Sequence, residues 1–252
     1  MSGIITSRQN PLCAHLRKLC AQRRYRREAG EYLLDGEKLW EEAVLWRAPI
    51  RRVVTTPQHE LRVPAGVEQT LVTPELMAYL SPMESPQGVL FTVALPKIEA
   101  PERVEAGRYL ALDSLQDPGN VGTIWRTADA LGADGLFLIG GCADPYGPKT
   151  VRATMGACFR LPVWEVTAGQ LQRLMRKAGL PIYGATLRGD SLELGRTRLE
   201  QGAVVIGNEG RGISPETLEI CDRAVRIPMR ERCESLNAAA AATVILWEMG
   251  KG

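Results

Sequence analysis

The chain has 252 residues, which at about 150 residues per domain corresponds to one or two domains. Hydrophobic residues make up 45% of the chain and charged residues 24%, and these proportions exclude a disordered or fibrous protein. No stretch reaches the roughly 18 consecutive apolar residues of a membrane span, and no apolar segment typical of a secretory signal opens the chain.

Cysteine and histidine usage bears on metal binding and on the redox compartment. The six cysteines form no C-x-x-C pair, and His15 and His59 are the two imidazole groups. This pattern argues against a metal site and favours reduced thiols, so we expect a cytoplasmic protein without a metal. The cysteines are Cys13, Cys20, Cys142, Cys158, Cys221 and Cys233.

The net charge of +2 hides a basic N-terminus, where the first 27 residues hold seven cationic residues and no acidic one. The cationic residues are Arg8, Arg17, Lys18, Arg23, Arg24, Arg26 and Arg27. Clusters of this kind attract phosphate backbones, and we interpret the four arginines from Arg23 to Arg27 as RNA-binding residues. A solvated helix face is the alternative, whereas a transit peptide is disfavoured because no cleavage-like break follows.

The first hundred residues are predicted to mix helices and strands. A basic helix is predicted from Pro11 to Arg27, and the chain continues through Gly30–Gly36 into a second helical pattern. Two further helices and three strands are predicted: Glu37–Trp46, Pro74–Leu80, Ile50–Thr55, Gln69–Val72 and Val89–Ala94. Leu95–Glu102 has two prolines, mixed charge and no periodicity, which is typical of a linker. We therefore predict two domains, residues 1–100 and residues 101–252.

The second domain alternates apolar strands with helices. The predicted strands are Tyr109–Leu112, Gly135–Ile139, Ile182–Thr186, Ala203–Gly207 and Ala224–Ile227. The predicted helical segments are Val121–Leu131, Val151–Ala157, Leu171–Ala178 and Ser235–Met249. Continuous apolar strands separated by helices indicate a parallel sheet that is covered on both faces, so the fold class is α/β.

Two of these strands run into unusual loops, Asp113–Gly122 and Gly207–Gly212. Ligands bind outside the carboxyl ends of parallel strands, so both loops are candidate binding sites. Neither loop matches a P-loop or a dinucleotide-binding turn, and Glu209 would repel a pyrophosphate. A ligand carrying an amino or sulfonium cation would tolerate that carboxylate, while a plain tight turn is the alternative.

A third segment combines Ile227-Pro228-Met229 with Ser235-Leu236-Asn237. Ser235 is a plausible N-cap of the terminal helix, and Asn237 in its first turn is a second candidate for capping. Either structural role alone would explain these two residues.

The three segments together resemble a known family. Asn120-x-Gly122-x-x-x-Arg126-x-Ala128, the Gly207–Gly212 loop and the third segment occur in the order of the three motifs of the SpoU (TrmH) RNA 2′-O-ribose methyltransferases, in the SPOUT superfamily. Val151–Ala157 resembles the family's segment between the first two motifs. The resemblance, over about residues 108 to 250, implies an α/β trefoil knot, a homodimer and a cofactor held in the knot. The N-terminal third is similar to the small α/β RNA-binding domains that resemble ribosomal proteins.

The resemblance also implies S-adenosyl-L-methionine as the methyl donor. Gly207, Ile227 and Leu236 match positions that hold the cofactor, and Met229 and Asn208 are further lining candidates. Arg126 matches the family's catalytic arginine. Because a guanidinium keeps its proton above about pH 12, we expect Arg126 to bind a phosphate and stabilise a developing alkoxide, not to act as a base.

Four further residues complete the implied site. Asn120 is expected to orient Arg126 or to cap its helix, and Glu209 to hold the arginine or the loop, with a purely structural role equally open. Ser235 and Asn237 are expected to line the acceptor side. Ala238–Ala241 replaces a run that in the family usually contains another serine, which puts that serine's role in doubt for this chain.

The expected function is methylation of a ribose 2′-hydroxyl in RNA, with ribosomal RNA favoured over transfer RNA. The basic N-terminal domain suggests a large, structured substrate recognised by shape and backbone. A non-catalytic RNA-binding or ribosome-assembly protein is the main alternative, although the expected catalytic positions are all occupied. A nucleotide-phosphate or NAD enzyme is disfavoured because its motifs are missing.

Overall fold

The computed structural model describes residues 3–186, 191–196, 199, 201–230 and 235–251, so the predicted free thiol Cys233 lies outside the described residues. Contacts divide the chain into an N-terminal unit, residues 1–96 with 146–159, and a C-terminal unit, residues 97–145 with 160–252. The sequence places the boundary near residue 100, close to the observed division. It does not predict that residues 146–159 are grouped with the N-terminal unit.

Helices and strands follow one another along the described chain. In order they are α1 (Pro11–Ala21), α2 (Arg23–Ala29), β1 (Glu31–Asp35), α3 (Glu37–Leu45), β2 (Ile50–Thr55), β3 (Glu68–Leu71), α4 (Pro74–Leu80), β4 (Val89–Ala94), β5 (Arg108–Asp113), α5 (Pro118–Ala130), β6 (Gly135–Ile139), α6 (Pro148–Thr154), β7 (Val163–Glu165), α7 (Ala168–Ala178), β8 (Ile182–Ala185), β9 (Ser191–Glu193), β10 (Gly202–Ile206), α8 (Pro215–Leu218), β11 (Arg223–Arg226) and α9 (Ala238–Met249). A 3₁₀ turn, Ala157–Phe159, follows α6.

The N-terminal unit contains a four-stranded sheet in the order β1-β4-β2-β3 among the described residues. β4 is antiparallel to β1 and β2, whereas β2 and β3 are parallel. Leu33, Val54 and Leu90 of the sheet form one core with buried side chains of α1 and α4. Phe91 follows Leu90 on β4, so its side chain lies on the opposite face of the sheet. There its ring packs edge-on against that of Trp40 of α3, with ring centroids 5.3 Å apart.

The single basic helix predicted for Pro11–Arg27 is wrong, because two helices meet at Gln22. Its extended backbone (φ −122°, ψ 110°) ends α1 and begins α2. Arg26 is only 5% exposed, and its guanidinium donates to the carbonyls of Leu19 and Cys20 (3.1 Å to Cys20). These carbonyls belong to the last turn of α1 and have no partner within the helix. Arg26 therefore joins two helices, and its predicted role in RNA binding is wrong.

The strand β1 is missing from the sequence prediction, which assigns no helix or strand between Arg27 and Glu37. Tyr32, Leu33 and Leu34 are all buried, so the run lacks the polar alternation that would mark a strand. Gly30 precedes it with φ +62° and ends α2, and Gly36 follows with φ +110°. Both angles favour glycine, and together they turn the chain at each end of the strand.

Residues 146–159 pack closely within the N-terminal unit. The ring of Tyr146 lies on that of Tyr32, with centroids 4.7 Å apart. Gly156 has φ +93°, and a Cβ there would lie 2.8 Å from Cγ of Glu42. The segment that resembles the family's stretch between the first two motifs thus contributes α6 and a close glycine contact to this unit.

The C-terminal unit is built on a seven-stranded sheet in the order β7-β6-β5-β10-β8-β11-β9 among the described residues. All of its pairings are parallel, which confirms the predicted α/β class. Apolar side chains of β5, β6, β8 and β10 form a core with those of α7, and α9 packs against α5 and β10. The short elements β7, β9 and α8 are absent from the sequence prediction. Across the described residues, no helix is both long and apolar enough to cross a membrane.

Candidate active site

A cavity of about 370 Å³ opens at the carboxyl ends of β8, β10 and β11. Its wall combines the backbone of the loop after β10 with apolar side chains, among them Ile206, Ile213 and Ile245. The structure brings to this wall all five residues that the sequence predicts to hold the cofactor, together with Glu209 and Ser235. The five are Gly207, Asn208, Ile227, Met229 and Leu236.

The loop after β10 is a tight turn stabilised by Asn208. The backbones of Asn208 and Gly212 exchange two hydrogen bonds of 3.0 and 2.8 Å. Oδ1 of Asn208 also accepts from the backbone N–H of Gly210 (3.0 Å) and Arg211 (3.2 Å). Gly207 packs against the returning chain so closely that a Cβ would lie 2.2 Å from the carbonyl carbon of Gly212. A glycine is therefore required at position 207 for steric reasons.

The end of the neighbouring strand β5 anchors this loop. Nδ2 of Asn208 donates to the carbonyl of Ser114 at 2.9 Å. Asp113 is 1% exposed, and its Oδ2 accepts from both the N–H and the hydroxyl of Ser214, each at 2.7 Å. Sequence reasoning missed Asp113 and Ser214 as supporting residues. The available signal was the position of Asp113 at the carboxyl end of a strand.

A chain of amide and carboxylate groups, which we call the amide chain, joins the three motif segments. Nδ2 of Asn237 donates to Oδ1 of Asn120 at 3.1 Å, and Nδ2 of Asn120 donates to Oε1 of Glu209 at 2.6 Å. Among the described residues, Asn120 thus contacts Glu209 and Asn237 and does not orient Arg126. Glu209 is held by an amide and not by the arginine.

The helix caps differ from the sequence prediction. Asp117 caps α5 by accepting from the N–H of Asn120 at 2.8 Å, so Asn120 is not the cap. Asn237 caps α9 by accepting from the N–H of Ala239 (2.9 Å) and Ala240 (3.3 Å). The predicted helix start and N-cap at Ser235 are therefore wrong. Asn237 combines the two functions that the sequence left open, capping and a place in the site.

Arg126 lies on an exposed face of α5 and does not line the cavity. It follows Asn120 by six positions, which at about 100° per residue places the two side chains on different sides of the helix. Asn120 and Asn237 do not line the cavity themselves. The hydrogen bonds of the amide chain connect them to Glu209, which does. One copy of the chain therefore brings together every predicted catalytic residue except Arg126.

Two cysteines near Asp113 are protonated thiols. Burial raises the pKa of Cys142 and of Cys221 to about 11, and the negative charge of Asp113 adds to both shifts. Sγ of Cys142 accepts from the N–H of Leu115 at 3.3 Å and lies 3.2 Å from the carbonyl of Leu112. These thiols are structural, because a thiol that stays protonated is a poor nucleophile. All five cysteines among the described residues are free.

In the N-terminal unit, the four predicted RNA-binding arginines have different environments. Arg24 is exposed but pairs with Glu28 at 2.7 Å. Arg27 is exposed and Arg23 is half-buried, while Arg26 is buried as described above. Helix α2 therefore does not present four equivalent cations on one face.

Comparison with protein families assigns both units. A sequence model described as the SpoU rRNA Methylase family matches residues 107–247. A second model, the MRM3-like substrate binding domain, matches residues 10–90. The first match covers the C-terminal strands, the cavity and the amide chain.

Two characterised relatives are similar over nearly their whole length. The 23S rRNA (uridine(2479)-2′-O)-methyltransferase of Streptomyces viridochromogenes is 35% identical, over 97% of this chain and 90% of the relative. The 23S rRNA (guanosine(2553)-2′-O)-methyltransferase RlmP of Bacillus subtilis is 29% identical, over 89% of this chain and 90% of the relative.

Solved structures agree with this assignment. The SpoU methyltransferase AviRb from Streptomyces viridochromogenes, crystallised with the cofactor AdoMet, superposes with a TM-score of 0.86 at 34% identity, over 96% of this chain and 98% of AviRb. An rRNA methyltransferase from Sinorhizobium meliloti superposes with a TM-score of 0.88 at 30% identity, over 99% and 97% of the two chains. The chain belongs to the SpoU rRNA methylase family.

Proposed function

We propose that this protein transfers a methyl group from S-adenosylmethionine to a ribose 2′-hydroxyl in ribosomal RNA. The observation that carries the proposal is the convergence of two distant motif segments on one cavity, to which the amide chain joins the first motif segment through Asn120. The names of the two characterised relatives, both 23S rRNA 2′-O-methyltransferases, support ribosomal RNA as the substrate.

The cavity residues fit the cofactor. A volume of about 370 Å³ is within the range of small-molecule sites, and aliphatic walls suit an adenine ring and a thioether chain. The Glu209 carboxylate complements a ligand that carries a positive charge. When bound, S-adenosylmethionine supplies a methyl group on a sulfonium. The residues proposed to hold it are Gly207, Asn208, Ile227, Met229 and Leu236.

The acceptor side of the reaction is assigned to polar residues at the cavity. The hydroxyl gives its proton to a water molecule and its oxygen gains the methyl group as the methyl–sulfur bond breaks. Negative charge develops on that oxygen because the proton leaves ahead of methyl transfer. Ser235 and the amide of Asn237 can hydrogen-bond the ribose, and alignment of the reacting atoms supplies much of the rate. Arg126 is assigned to the neighbouring phosphate and to the developing charge, because its guanidinium donates hydrogen bonds and keeps its own proton.

In this proposal, Arg126 acts at the cavity of a second copy of the chain, because it does not line the cavity of its own copy. Helix α9 has one charged residue in twelve, and it exposes Val244 (39%) and Trp247 (62%). A helix that is apolar on all sides is normally buried, and α5 packs beside it. A homodimer formed through α5 and α9 would cover these side chains and bring Arg126 to the boundary between two copies.

Substitution of Trp247 tests the homodimer. Trp247→Glu places a charge in the proposed interface, so we expect sedimentation to show a monomer with little methyl transfer activity. Leu45→Glu is the matched control, because Leu45 is 71% exposed in the N-terminal unit. A wild-type chain that sediments as a monomer yet transfers methyl groups would contradict the dimer.

Methyl transfer with Arg126→Ala tests the function itself. We expect labelled methyl to pass from S-adenosylmethionine to unmodified 23S rRNA and not to tRNA. Removal of a group that stabilises developing charge costs roughly 10²–10³ in rate, while the dissociation constant of the cofactor should change little. Arg173→Ala, an exposed helix arginine of α7, serves as the control.

Three outcomes would contradict parts of this proposal. Label only in tRNA would keep the enzyme and change the substrate. Loss of cofactor affinity together with activity in Arg126→Ala would assign the arginine to the fold or the cavity. No cofactor binding by the wild type would favour a non-catalytic RNA-binding protein.

Two further properties belong to the same proposal. We place the protein in the cytoplasm, and the free cysteines among the described residues support this placement. The trefoil knot implied by the resemblance stays a prediction.

A further inference from the structure

An exposed cationic surface lies on the α1 and α4 side of the N-terminal unit. We call it the Tyr79 surface, and it consists of Arg8, Arg17, Lys18, Tyr25 and Tyr79. The guanidinium carbons of Arg8 and Arg17 lie 4.5 and 5.0 Å from the centroid of the Tyr79 ring. Nζ of Lys18 lies 5.4 Å from the centroid of the Tyr25 ring. Three exposed cations are thus arranged around two tyrosines.

The cations of this surface are not neutralised by acidic side chains. Among the residues that the structure describes, no carboxylate lies within ion-pairing distance of Arg8, Arg17 or Lys18. Other exposed cations of the same unit have such partners: Arg24 pairs with Glu28, and Lys38 with Glu41 at 3.6 Å. An unpaired, adjacent set of cations leaves a local positive potential that favours an anionic partner.

The aromatic rings hold this charge in place. Tyr79 is half-buried on α4, whose Leu76, Met77 and Leu80 lie in the core of the unit. Arg17 also donates from Nη1 to the Tyr79 carbonyl at 3.2 Å, its one hydrogen bond to the described residues. A cation over the face of an aromatic ring is attracted electrostatically by the ring. The guanidinium groups are therefore positioned in advance, with most of their N–H donors still available.

Tyr25 is fixed by a polar network of its own. Its hydroxyl lies 2.9 Å from Nδ1 of His15, and Nε2 of His15 lies 3.0 Å from the Glu31 carboxylate. The half-buried ring beneath Lys18 is thus tied to β1, and the surface extends from Tyr79 to Tyr25.

We infer that the Tyr79 surface binds the phosphate backbone of the substrate RNA, and this inference rests on the proposed function. Guanidinium groups bind phosphate oxygens bidentately, and backbone contacts position a structured RNA without reading its sequence. Arg8, Arg17 and Lys18 carry this role, in place of the α2 arginines that the sequence indicates. Because both rings are half-buried, they are poorly placed to insert into a lipid surface.

The salt dependence of RNA binding tests the inference in the full-length chain. The probe is unmodified 23S rRNA transcribed in vitro, and the dissociation constant is measured over a series of salt concentrations. The logarithm of the association constant falls linearly with the logarithm of the salt concentration, and each lost phosphate contact makes this slope less steep by about 0.7–0.9. For Arg8→Gln with Arg17→Gln we expect a slope less steep by roughly 1.5 and binding roughly tenfold weaker at moderate salt.

A matched double variant controls for net charge. Lys38→Gln with Arg103→Gln removes the same charge from two exposed residues that are paired with carboxylates. We expect this control to leave the slope close to that of the wild type. Arg8→Lys with Arg17→Lys should keep most of the slope, while Tyr79→Leu should weaken binding more than Tyr79→Phe. Thermal unfolding of each variant confirms that the unit is folded.

Kinetics separate this inference from the proposed function. With Arg8→Gln and Arg17→Gln, the KM for RNA should rise while kcat at saturating RNA and cofactor affinity stay at wild-type values. If the wild type transfers no methyl group to any RNA, the proposed function fails, whereas the salt slopes still decide the role of the surface.

Three results would overturn the inference. The first is a wild-type slope and affinity in the folded Arg8→Gln, Arg17→Gln variant. The second is an equal loss of RNA binding in the charge-matched control. The third is a variant that loses binding to phosphatidylserine vesicles while its RNA binding is unchanged, which would assign the surface to a membrane.

Discussion

The cavity of the C-terminal unit and the Tyr79 surface of the N-terminal unit are built in different ways. The cavity depends on backbone: Gly207 packs against Gly212, and the buried Asp113 holds the loop through Ser214. The Tyr79 surface depends on long, exposed side chains stacked on rings. Small changes should therefore abolish the function of the cavity, whereas changes at the surface should give graded effects that depend on salt.

Among substitutions that test how the cavity is built, the largest effect on cofactor affinity is expected from Gly207→Ala. The added Cβ would lie 2.2 Å from the carbonyl carbon of Gly212 and 2.3 Å from the nitrogen of Ile213, and backbone atoms cannot move aside as a flexible side chain can. Overpacking of this kind costs about 1–3 kcal/mol or more. We expect the affinity for S-adenosylmethionine, measured by calorimetry, to fall at least about tenfold.

Gly210→Ala is the control within the same loop. A Cβ at position 210 would meet its nearest atom, Oδ1 of Asn208, at 3.7 Å, which is ordinary contact. Its affinity should equal that of the wild type. Equal losses in both variants would show that the loop is sensitive to any added side chain, and the steric argument for Gly207 would fail.

A smaller effect is expected at Asn237, where two substitutions separate its two functions. Asn237→Ala removes the cap of α9, which costs about 1 kcal/mol of folding stability, and also removes the bond to Asn120. Asn237→Asp keeps a capping oxygen but lacks the N–H donor. We expect Asn237→Asp to retain the stability of the wild type and to lose roughly tenfold in methylation rate, because one hydrogen bond is worth about 1 kcal/mol or more.

Denaturant unfolding and methyl transfer assays on both variants check this prediction. If Asn237→Asp methylates RNA at the wild-type rate, the amide chain is not needed for the reaction and Asn237 is only a cap.

A last pair of substitutions, which affects folding stability and not the reaction, sharpens the comparison within the N-terminal unit. Arg26→Gln removes a buried guanidinium that joins α1 to α2, and hydrogen bonds to charged groups are worth about 1.5–3 kcal/mol. Arg24→Gln breaks an exposed pair with Glu28, which is worth at most about 1 kcal/mol. We expect denaturant unfolding to show a clear loss of stability for Arg26→Gln and little change for Arg24→Gln. Similar values for the two would contradict the structural role of Arg26.

Much of the C-terminal unit follows from its sequence. Long apolar strands between helices indicate a parallel sheet, and the bounds of β6 agree with the prediction. The motif residues around the cavity follow from the second and third motif segments, because the resemblance places both at the ends of strands. Gly207, Ile227 and Leu236 all line the observed cavity.

The contacts that organise the site do not follow from sequence. Asn120, Glu209 and Asn237 are far apart in the chain, and hydrogen bonds between them depend on tertiary placement alone. Ser235 and Asn237 are both acceptable N-caps by propensity, and the backbone path decides in favour of Asn237. The anchoring of the loop by Asp113 is likewise a property of adjacent strands.

The N-terminal unit follows from its sequence unevenly, because β2, α4 and β4 have the predicted bounds whereas the basic helices and β1 do not. The charge of Arg26 indicates solvent or RNA, yet the unsatisfied carbonyls of α1 bind it in the interior. The apolar run of β1 has no alternation, and residues 146–159 are joined to this unit only through tertiary contacts such as that of Tyr146 with Tyr32.

The position of the transferred methyl group tests the central claim most directly. A 2′-O-methyl group blocks the neighbouring phosphodiester from alkaline cleavage, so labelled 23S rRNA would be digested with alkali and its products separated. We predict that the label appears in one alkali-resistant dinucleotide and that, at S-adenosylmethionine concentrations below saturation, it falls at least about tenfold when Gly207→Ala replaces the wild-type enzyme. Label recovered in alkali-sensitive mononucleotides would place the methyl on a base and contradict ribose methylation.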